Sequence, residues 1–306
     1  MKIAPTISVI ILTYNEERHI ERCIRSVTDI ATEIFVVDSY SKDRTLEIAE
    51  SLGARVYQNP WVNHAVQFNW ALDNLPITTG WVFRLDADEI VAESLKEQIL
   101  VQMGQLEENI TGVYVRRRMI FMGRWIKHGS MYPIYVMRLL RYGKGYCEQR
   151  WMDEHLKITE GEAITFKNDI IDDNRNNLGW WINKHNNYAV REAIELLNIK
   201  FGLVQQDGIP ARLMGTQEQR KRWLKIRYAS FPLYFRPFLY FTYRYLFRFG
   251  FLDGSEGLIW HFLQGFWYRF LIDAKISEIY RKGGVDAASI KRVMKEEYEI
   301  DLLAIS

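Results

Sequence analysis

Two aspartates one residue apart, Asp86 and Asp88, close an apolar run, Trp81-Val82-Phe83-Arg84-Leu85, broken only by Arg84. Carboxylate oxygens are hard donors suited to Mg²⁺ or Mn²⁺, ions that share their coordination with the phosphates of a substrate. The chemistry open to such a pair is the holding of a phosphorylated ligand through a divalent cation. An Asp-x-Asp alone would equally make a polar turn, so its meaning depends on its company. Two more strand-like runs end in the same way, Ile7 to Leu12 in Thr13-Tyr14-Asn15-Glu16 and Glu33 to Val37 in Asp38-Ser39-Tyr40-Ser41.

A parallel sheet is the element that would bring these residues together. Ile7 to Leu12 is apolar on both faces, as in a strand covered on both sides. Asn15 is suited to cap a helix whose face is Ile20, Cys23, Ile24 and Val27. A second strand follows at Glu33 to Val37, then a helix through Thr45, Ile48, Ala49 and Leu52 that stops at Gly53. A short strand at Ala54 to Tyr57 and a helix through Ala65, Phe68, Leu72 and Leu75 lead to the strand bearing Asp86. Repeated strand-helix units imply right-handed crossovers. The carboxyl ends of such strands lie on one side, where ligands bind.

Composition narrows the choices. With 306 residues, 48% of them hydrophobic, the chain can bury a large core, and its net charge of +2 does not suit a general binder of polyanions. Cys23 and Cys147 give neither a disulfide framework nor metal-ligand spacing, which fits a reducing cytoplasm. Met1-Lys2-Ile3-Ala4-Pro5 runs into a strand pattern without a signal-peptide core, so no export from this end is expected. No Gly-x-Gly-x-x-Gly follows the first strand and no Gly-x-x-x-x-Gly-Lys-Ser/Thr occurs, which argues against dinucleotide dehydrogenases and P-loop ATPases.

The series Thr13-Tyr14-Asn15-Glu16, Asp38-Ser39-Tyr40-Ser41-Lys42-Asp43 and Asp86-Ala87-Asp88, in this order, resembles the inverting glycosyltransferases of family 2. Their bacterial branch, which extends lipopolysaccharide cores, O-antigens and exopolysaccharides on lipid carriers, also has counterparts of Asn59-Pro60-Trp61, Gln67-x-Asn69 and Ala71-Leu72. The resemblance implies a GT-A fold, Rossmann-like, with a mainly parallel sheet and helices on both faces. It implies a nucleoside diphosphate sugar donor, most often a UDP-sugar, with Thr13, Tyr14, Asn15, Glu16, Asp38 and Gln67 around it. Asp38 would bond the base, Asp86 would lie toward ribose and metal, and Asp88 would ligate Mg²⁺ or Mn²⁺.

An inverting transfer needs a carboxylate that takes the proton of the acceptor hydroxyl. By resemblance it lies in the acidic pair Asp153 and Glu154, within Trp151-Met152-Asp153-Glu154-His155-Leu156. Met152 stands where one form of the motif has Glu, and Asp153 where another has His, so both carboxylates remain candidates. Acceptors implied are a lipid-linked, polyprenyl diphosphate glycan or lipopolysaccharide at the cytoplasmic face of the bacterial inner membrane. Transfer directly to polyprenyl phosphate, and a silent nucleotide-sugar-binding scaffold, are the alternatives.

Several other groups have two readings. Arg116, Arg117, Arg118, Arg124, Lys127, Arg138 and Arg141 would be solvated edges or diphosphate contacts. His185 would be a packed histidine, a third metal ligand or an acceptor contact. Trp180 and Trp181 would stack on a sugar or fill a core. Gln219-x-x-Arg222-Trp223 matches a signature of processive family 2 synthases, but the spanning helices that accompany it there are not evident.

From Lys221 to Lys282 aromatic and basic residues alternate, a composition suited to helices lying in a membrane interface. Arg236, Arg244, Arg248 and Arg269 interrupt every apolar run before the roughly 18 residues that a membrane-crossing helix needs. A soluble aromatic subdomain or a dimer contact is the other reading. Single-stranded nucleic acid does not suit the near-zero net charge. The expected division is a GT-A domain over residues 1–165 and a helical acceptor or membrane-interface region over 166–306.

Overall fold

The computed structural model describes residues 6–149, 154–203, 210–215, 217–300 and 302. Two compact units are present, one of residues up to 127, 131–148 and 154–176, the other chiefly of 128–130 and the chain from 177 onward.

In the first unit β1 (Ile7–Thr13) is buried along its whole length. It lies between β2 (Glu33–Asp38) and β4 (Trp81–Asp86), with β3 (Arg55–Gln58) outside β2, and these four strands are parallel. Side chains alternate across a strand, and β1 divides its residues accordingly. Val9 and Ile11 face Cys23 and Ile24 of α1 (Ile20–Arg25), Ala49 of α2 (Thr45–Ser51) and Leu95 and Ile99 of α4 (Glu93–Gln102). Ile10 and Leu12 face Ala65, Phe68 and Ala71 of α3 (His64–Asn74). Helices therefore cover both faces, and each fully buried Ile, Leu or Phe contributes roughly 1.5–3 kcal/mol.

The other half of the sheet is mixed. β8 (Ile134–Arg141) is antiparallel to β4 and to β6 (Ile110–Phe121), β7 (Arg124–Ile126) forms a hairpin on β6, and β11 (Glu162–Asp173) is parallel to β6. β5 (Glu89–Val91) closes the edge antiparallel to β11, and β9 (Gly145–Cys147) with β10 (Leu156–Ile158) makes a small separate ladder. The expectation of a mainly parallel sheet thus holds for β1 to β4 and for the β6–β11 pair, while β5, β7 and β8 pair antiparallel. Short connections through β6, β7 and β8 allow only antiparallel neighbours, since a parallel pair needs a long crossover. The result is a GT-A-like Rossmann architecture with an antiparallel extension.

Asn15 does not cap α1. Its φ of 54° is left-handed, and α1 begins only at Ile20. The reason is competition, because the Asn15 side chain accepts from Lys42 N at 2.8 Å and its own N–H donates to Ser41 Oγ at 2.7 Å.

The second unit is helical. α5 (Leu178–Phe201), capped by Asn177 accepting from Trp180 N, packs with α9 (Tyr268–Gly283) and α10 (Ala287–Tyr298) around Ala189, Ala193, Ile272, Ile276, Ile290 and Met294. α6 (Gln217–Ser230), α7 (Phe235–Thr242) and α8 (Gly254–Trp260) complete it, with π-helical stretches at Tyr243–Phe247 and His261–Trp267. Among the described residues no helix is long and apolar enough to cross a membrane.

Candidate active site

The strand register assembles the site. Thr13 is paired with Asp38 across β1 and β2, and Leu12 with Asp86 across β1 and β4, so all three strand ends finish side by side. Asp38, fully buried, accepts from Thr13 Oγ1 at 3.1 Å, from Ser41 N at 2.8 Å, from the Ser41 hydroxyl and from Gln58 Nε2 at 3.4 Å. Gln67, also fully buried, donates to Ser39 Oγ at 3.1 Å and to Asn59 O at 3.2 Å, and accepts from Asn59 Nδ2 at 2.8 Å. These two side chains shape the loop after β2, leaving Tyr14 and Tyr40 exposed beside it.

Glu16 donates its N–H to Thr45 Oγ1 at 2.8 Å, and its carboxylate lies 2.5 Å from Nδ1 of buried His19. His19 Nε2 accepts from Arg175 N at 2.9 Å. The acceptor role of Nε2 places the ring proton on Nδ1, which donates to Glu16. The loop after β1 is thereby tied to the end of β11.

Asp86 lies between two buried guanidinium groups. Arg138 Nη2 donates to Asp86 Oδ2 at 3.1 Å and also to Glu89, while Arg84 Nη2 is 3.6 Å from Asp86 Oδ1. Burial pushes the Asp86 carboxyl up, but Arg138 and then Arg84 outweigh it and hold the group well below the usual carboxylate range. Glu89 shows the opposite balance. Burial pushes it up to about 7, with Arg138 opposing and Asp86 and Asp172 adding to the rise. Asp88 accepts from Asn174 Nδ2 at 2.9 Å, and its carbonyl accepts from Asp173 N at 3.1 Å. Arg22 in turn binds Asp173, fixing this end of β11.

The Asp-x-Asp pair suits a divalent cation shared with a substrate. Among the described residues no three His, Cys, Asp or Glu side chains form a cage of their own. Mg²⁺ is commonly held by one or two carboxylates, with phosphate oxygens and water supplying the rest. Asp86 Oδ1 is buried with no hydrogen-bond partner, an acceptor that such a ligand would satisfy.

Glu154 is mostly buried, 3.9 Å from Arg84 Nη2, so Arg84 stands between Asp86 and this candidate base. Asp153, the other candidate, lies outside the described residues. Asp172 and Asp173 are at the end of β11, where Asp172 is opposite Glu89. His185 belongs to the helical unit, where it stacks on Trp181 with centroids 3.5 Å apart and donates from Nδ1 to Trp181 O at 2.9 Å. Trp181 is buried in that unit's core, and Trp180 is half-buried under Lys184. Gln219, Arg222 and Trp223 lie on α6.

Most of the arginine cluster is taken up in structure. Arg118 binds Asp169 at 2.6 Å and lies over Trp125, Arg117 is 3.9 Å from Asp172, and Arg141 donates to Ile110 O at 2.7 Å. Of this group Arg138 contacts Asp86. The roles of Arg84, Arg138, Glu89, Asn174 and His19 were not legible in advance. A charged residue inside an apolar strand, as at Arg84 and Arg138, was the available signal, because such charges are buried only with partners.

Comparison with known proteins identifies the family. A model of "Glycosyl transferase family 2" matches residues 8–172. An uncharacterized glycosyltransferase of Rickettsia bellii is 28% identical over 275 residues, 89% of this chain and 86% of the relative. The lipopolysaccharide core biosynthesis glycosyltransferase LpsC of Rhizobium meliloti is 32% identical over 144 residues, 45% of this chain and about half, 52%, of that relative. A solved structure of glucosyl-3-phosphoglycerate synthase from Mycobacterium tuberculosis, in complex with Mn²⁺, UDP and glucosyl-3-phosphoglycerate, is 28% identical with a TM-score of 0.31, covering 38% of this chain and 44% of that one. The family model spans more than half of the 306 residues, and the chain belongs to glycosyl transferase family 2.

Proposed function

We propose that the protein transfers one sugar, with inversion, from a UDP-sugar to a hydroxyl of a lipid-linked glycan or lipopolysaccharide core at the cytoplasmic face of the inner membrane. The observation that carries this reading is the delivery of Asp86 and Asp88 beside Thr13 and Asp38 at one carboxyl edge. The relation to LpsC supports the choice of acceptor class.

In this mechanism Thr13, Tyr14, Asn15 and Glu16 line the nucleoside, and Asp38 and Gln67 hold the loop that faces the base. Asp86 and Asp88 would hold Mg²⁺ or Mn²⁺, whose chemistry is to stabilise negative charge on the departing diphosphate. The acceptor oxygen attacks the anomeric carbon as the bond from that carbon to the diphosphate oxygen breaks. Asp153 or Glu154 takes the hydroxyl proton from the side opposite the leaving group. Arg84 positions Asp86 and Glu154 from one guanidinium, and Arg138 keeps Asp86 ionised.

The test combines ligand-dependent melting with product analysis. Melting with UDP, GDP and CMP ligands, each with Mn²⁺, Mg²⁺ or EDTA, is expected to show a metal-dependent rise with UDP that Asp88→Ala abolishes. NMR of the product from an α-linked donor should then show a β linkage. A retained α linkage would exclude single displacement. Loss of transfer in Glu154→Gln with UDP binding intact would assign the base to Glu154, and the same result in Asp153→Asn alone would assign it to Asp153.

A further inference from the structure

α7 and the π-helical stretch after it are built inside out. Phe235, Phe238, Leu239, Tyr243 and Leu246, at helical offsets 0, 3, 4, 8 and 11, form one outward stripe. Phe235 and Phe238 are each 55% exposed and neighbouring Phe247 is 70% exposed. The opposite side carries the cations, and Arg236 and Arg244 are each only 3% exposed. Arg236 Nε donates to buried Asp273 at 2.8 Å, and the same guanidinium reaches Ala229 O at 3.2 Å. Arg244 Nε donates to Gly129 O at 2.9 Å, and its Nη1 donates to Gln264.

Water favours the reverse arrangement, since burying a charge is costly and contiguous exposed apolar surface marks an interaction site. Charge selects the occupant. From Gln219 to Leu252 the sequence has eight Arg and Lys residues and no Asp or Glu, and Arg220, Lys221, Arg227 and Arg248 are exposed. A two-fold contact would place this stretch against itself, bringing like charges together with no acidic residue of the stretch to pair them. A surface of anionic lipid meets both requirements, taking aromatic side chains at headgroup depth and attracting the surrounding cations.

We propose that the outward stripe of α7 and the following π-helical stretch is a membrane-docking surface that lies in the interfacial layer of a bilayer containing anionic phospholipid. It is independent of the glycosyl-transfer reading, because docking to bare vesicles requires neither donor nor acceptor. The stripe is monotopic. α7 has 8 residues and the π-helical stretch 5, too short to span.

Flotation of the full chain with vesicles of phosphatidylcholine plus phosphatidylglycerol tests it, against phosphatidylcholine alone and at high salt. The wild type should float with the anionic vesicles, with binding weakened about tenfold by Phe238→Ser/Phe247→Ser and by high salt. Both substituted residues are exposed, so the circular dichroism melt of the variant should match the wild type. No flotation of the wild type, or equal flotation of a folded double variant, would overturn the proposal. A dimer in sedimentation that the double variant dissolves, without vesicle binding, would instead assign the stripe to a second copy.

Discussion

The two units handle charge in opposite ways. In the first, buried charges gather where the sheet ends, as Asp86, Glu89, Arg84 and Arg138 bind one another at the carboxyl edge of β4. In the second they are dispersed beneath helices, Arg236 on Asp273 and Glu192 between Lys225 and Arg269. Buried charge at the strand end lies where, under the proposed function, a divalent cation and a diphosphate would bind. Buried charge behind an aromatic stripe leaves the outer surface apolar. In the readings proposed above, the first arrangement would serve sugar transfer and the second docking to a bilayer.

The strongest way to break this contrast is in the first unit. Asp88→Ala should lower turnover by about a thousandfold, the several kcal/mol that a metal supplies at a leaving group, with little change in melting temperature. A variant that loses stability in proportion to activity would make Asp88 a structural residue.

In the second unit the expected effect is on stability. Arg236→Met removes the cation from buried Asp273, which keeps only the hydrogen bond it accepts from Tyr234 N at 2.8 Å, at a cost of roughly 3–5 kcal/mol in denaturant unfolding. Arg236→Met/Asp273→Leu should recover most of that loss. Failure of the double variant to recover would show that the carbonyl contacts of Arg236 and the Tyr234 N–H bond to Asp273, not the ion pair, hold α7.

A smaller effect concerns pH. Burial lowers His185 and His261 from 6.5 to about 4 in the folded chain, with the Trp181 carbonyl opposing at His185 and Arg244 adding to the shift at His261. Both are neutral when folded, and the unfolded chain takes up their protons first. Their contribution to stability is therefore complete above about pH 6.5 and declines as pH falls toward 4. Urea midpoints measured across that window should fall less steeply for His185→Gln than for the wild type. The smallest effect is at the thiols, since Cys23 and Cys147 are both buried and burial pushes Cys147 up to about 12. Neither should react with iodoacetamide until the chain unfolds, and rapid labelling would show that the first unit opens locally.

Much of the first unit was legible because its signals are local. The apolar runs from Ile7, Glu33 and Trp81 form strands, and Thr13, Asp38 and Asp86 stand at their ends, as the strand-helix order requires. Asn15 was misread because a cap is chosen by competition, and Ser41 and Lys42 offered better hydrogen bonds from another loop. Arg138 was indistinguishable from six other cations in its stretch. Contact with both Asp86 and Glu89 from β8 is a long-range event.

The sequence alone determined the periodicities, and with them the parallel strands, the edge at which carboxylates collect and the basic-aromatic character of the last third. Periodicity records which residues share a face, since side-chain spacing follows from backbone geometry. Only the tertiary structure decided which face points inward, which arginine meets Asp86, and that Arg236 and Arg244 turn away from water while Phe238 and Phe247 turn toward it. Those outcomes depend on partners distant in the chain, such as Asp273 for Arg236, and a buried charge is stable only where its partner arrives.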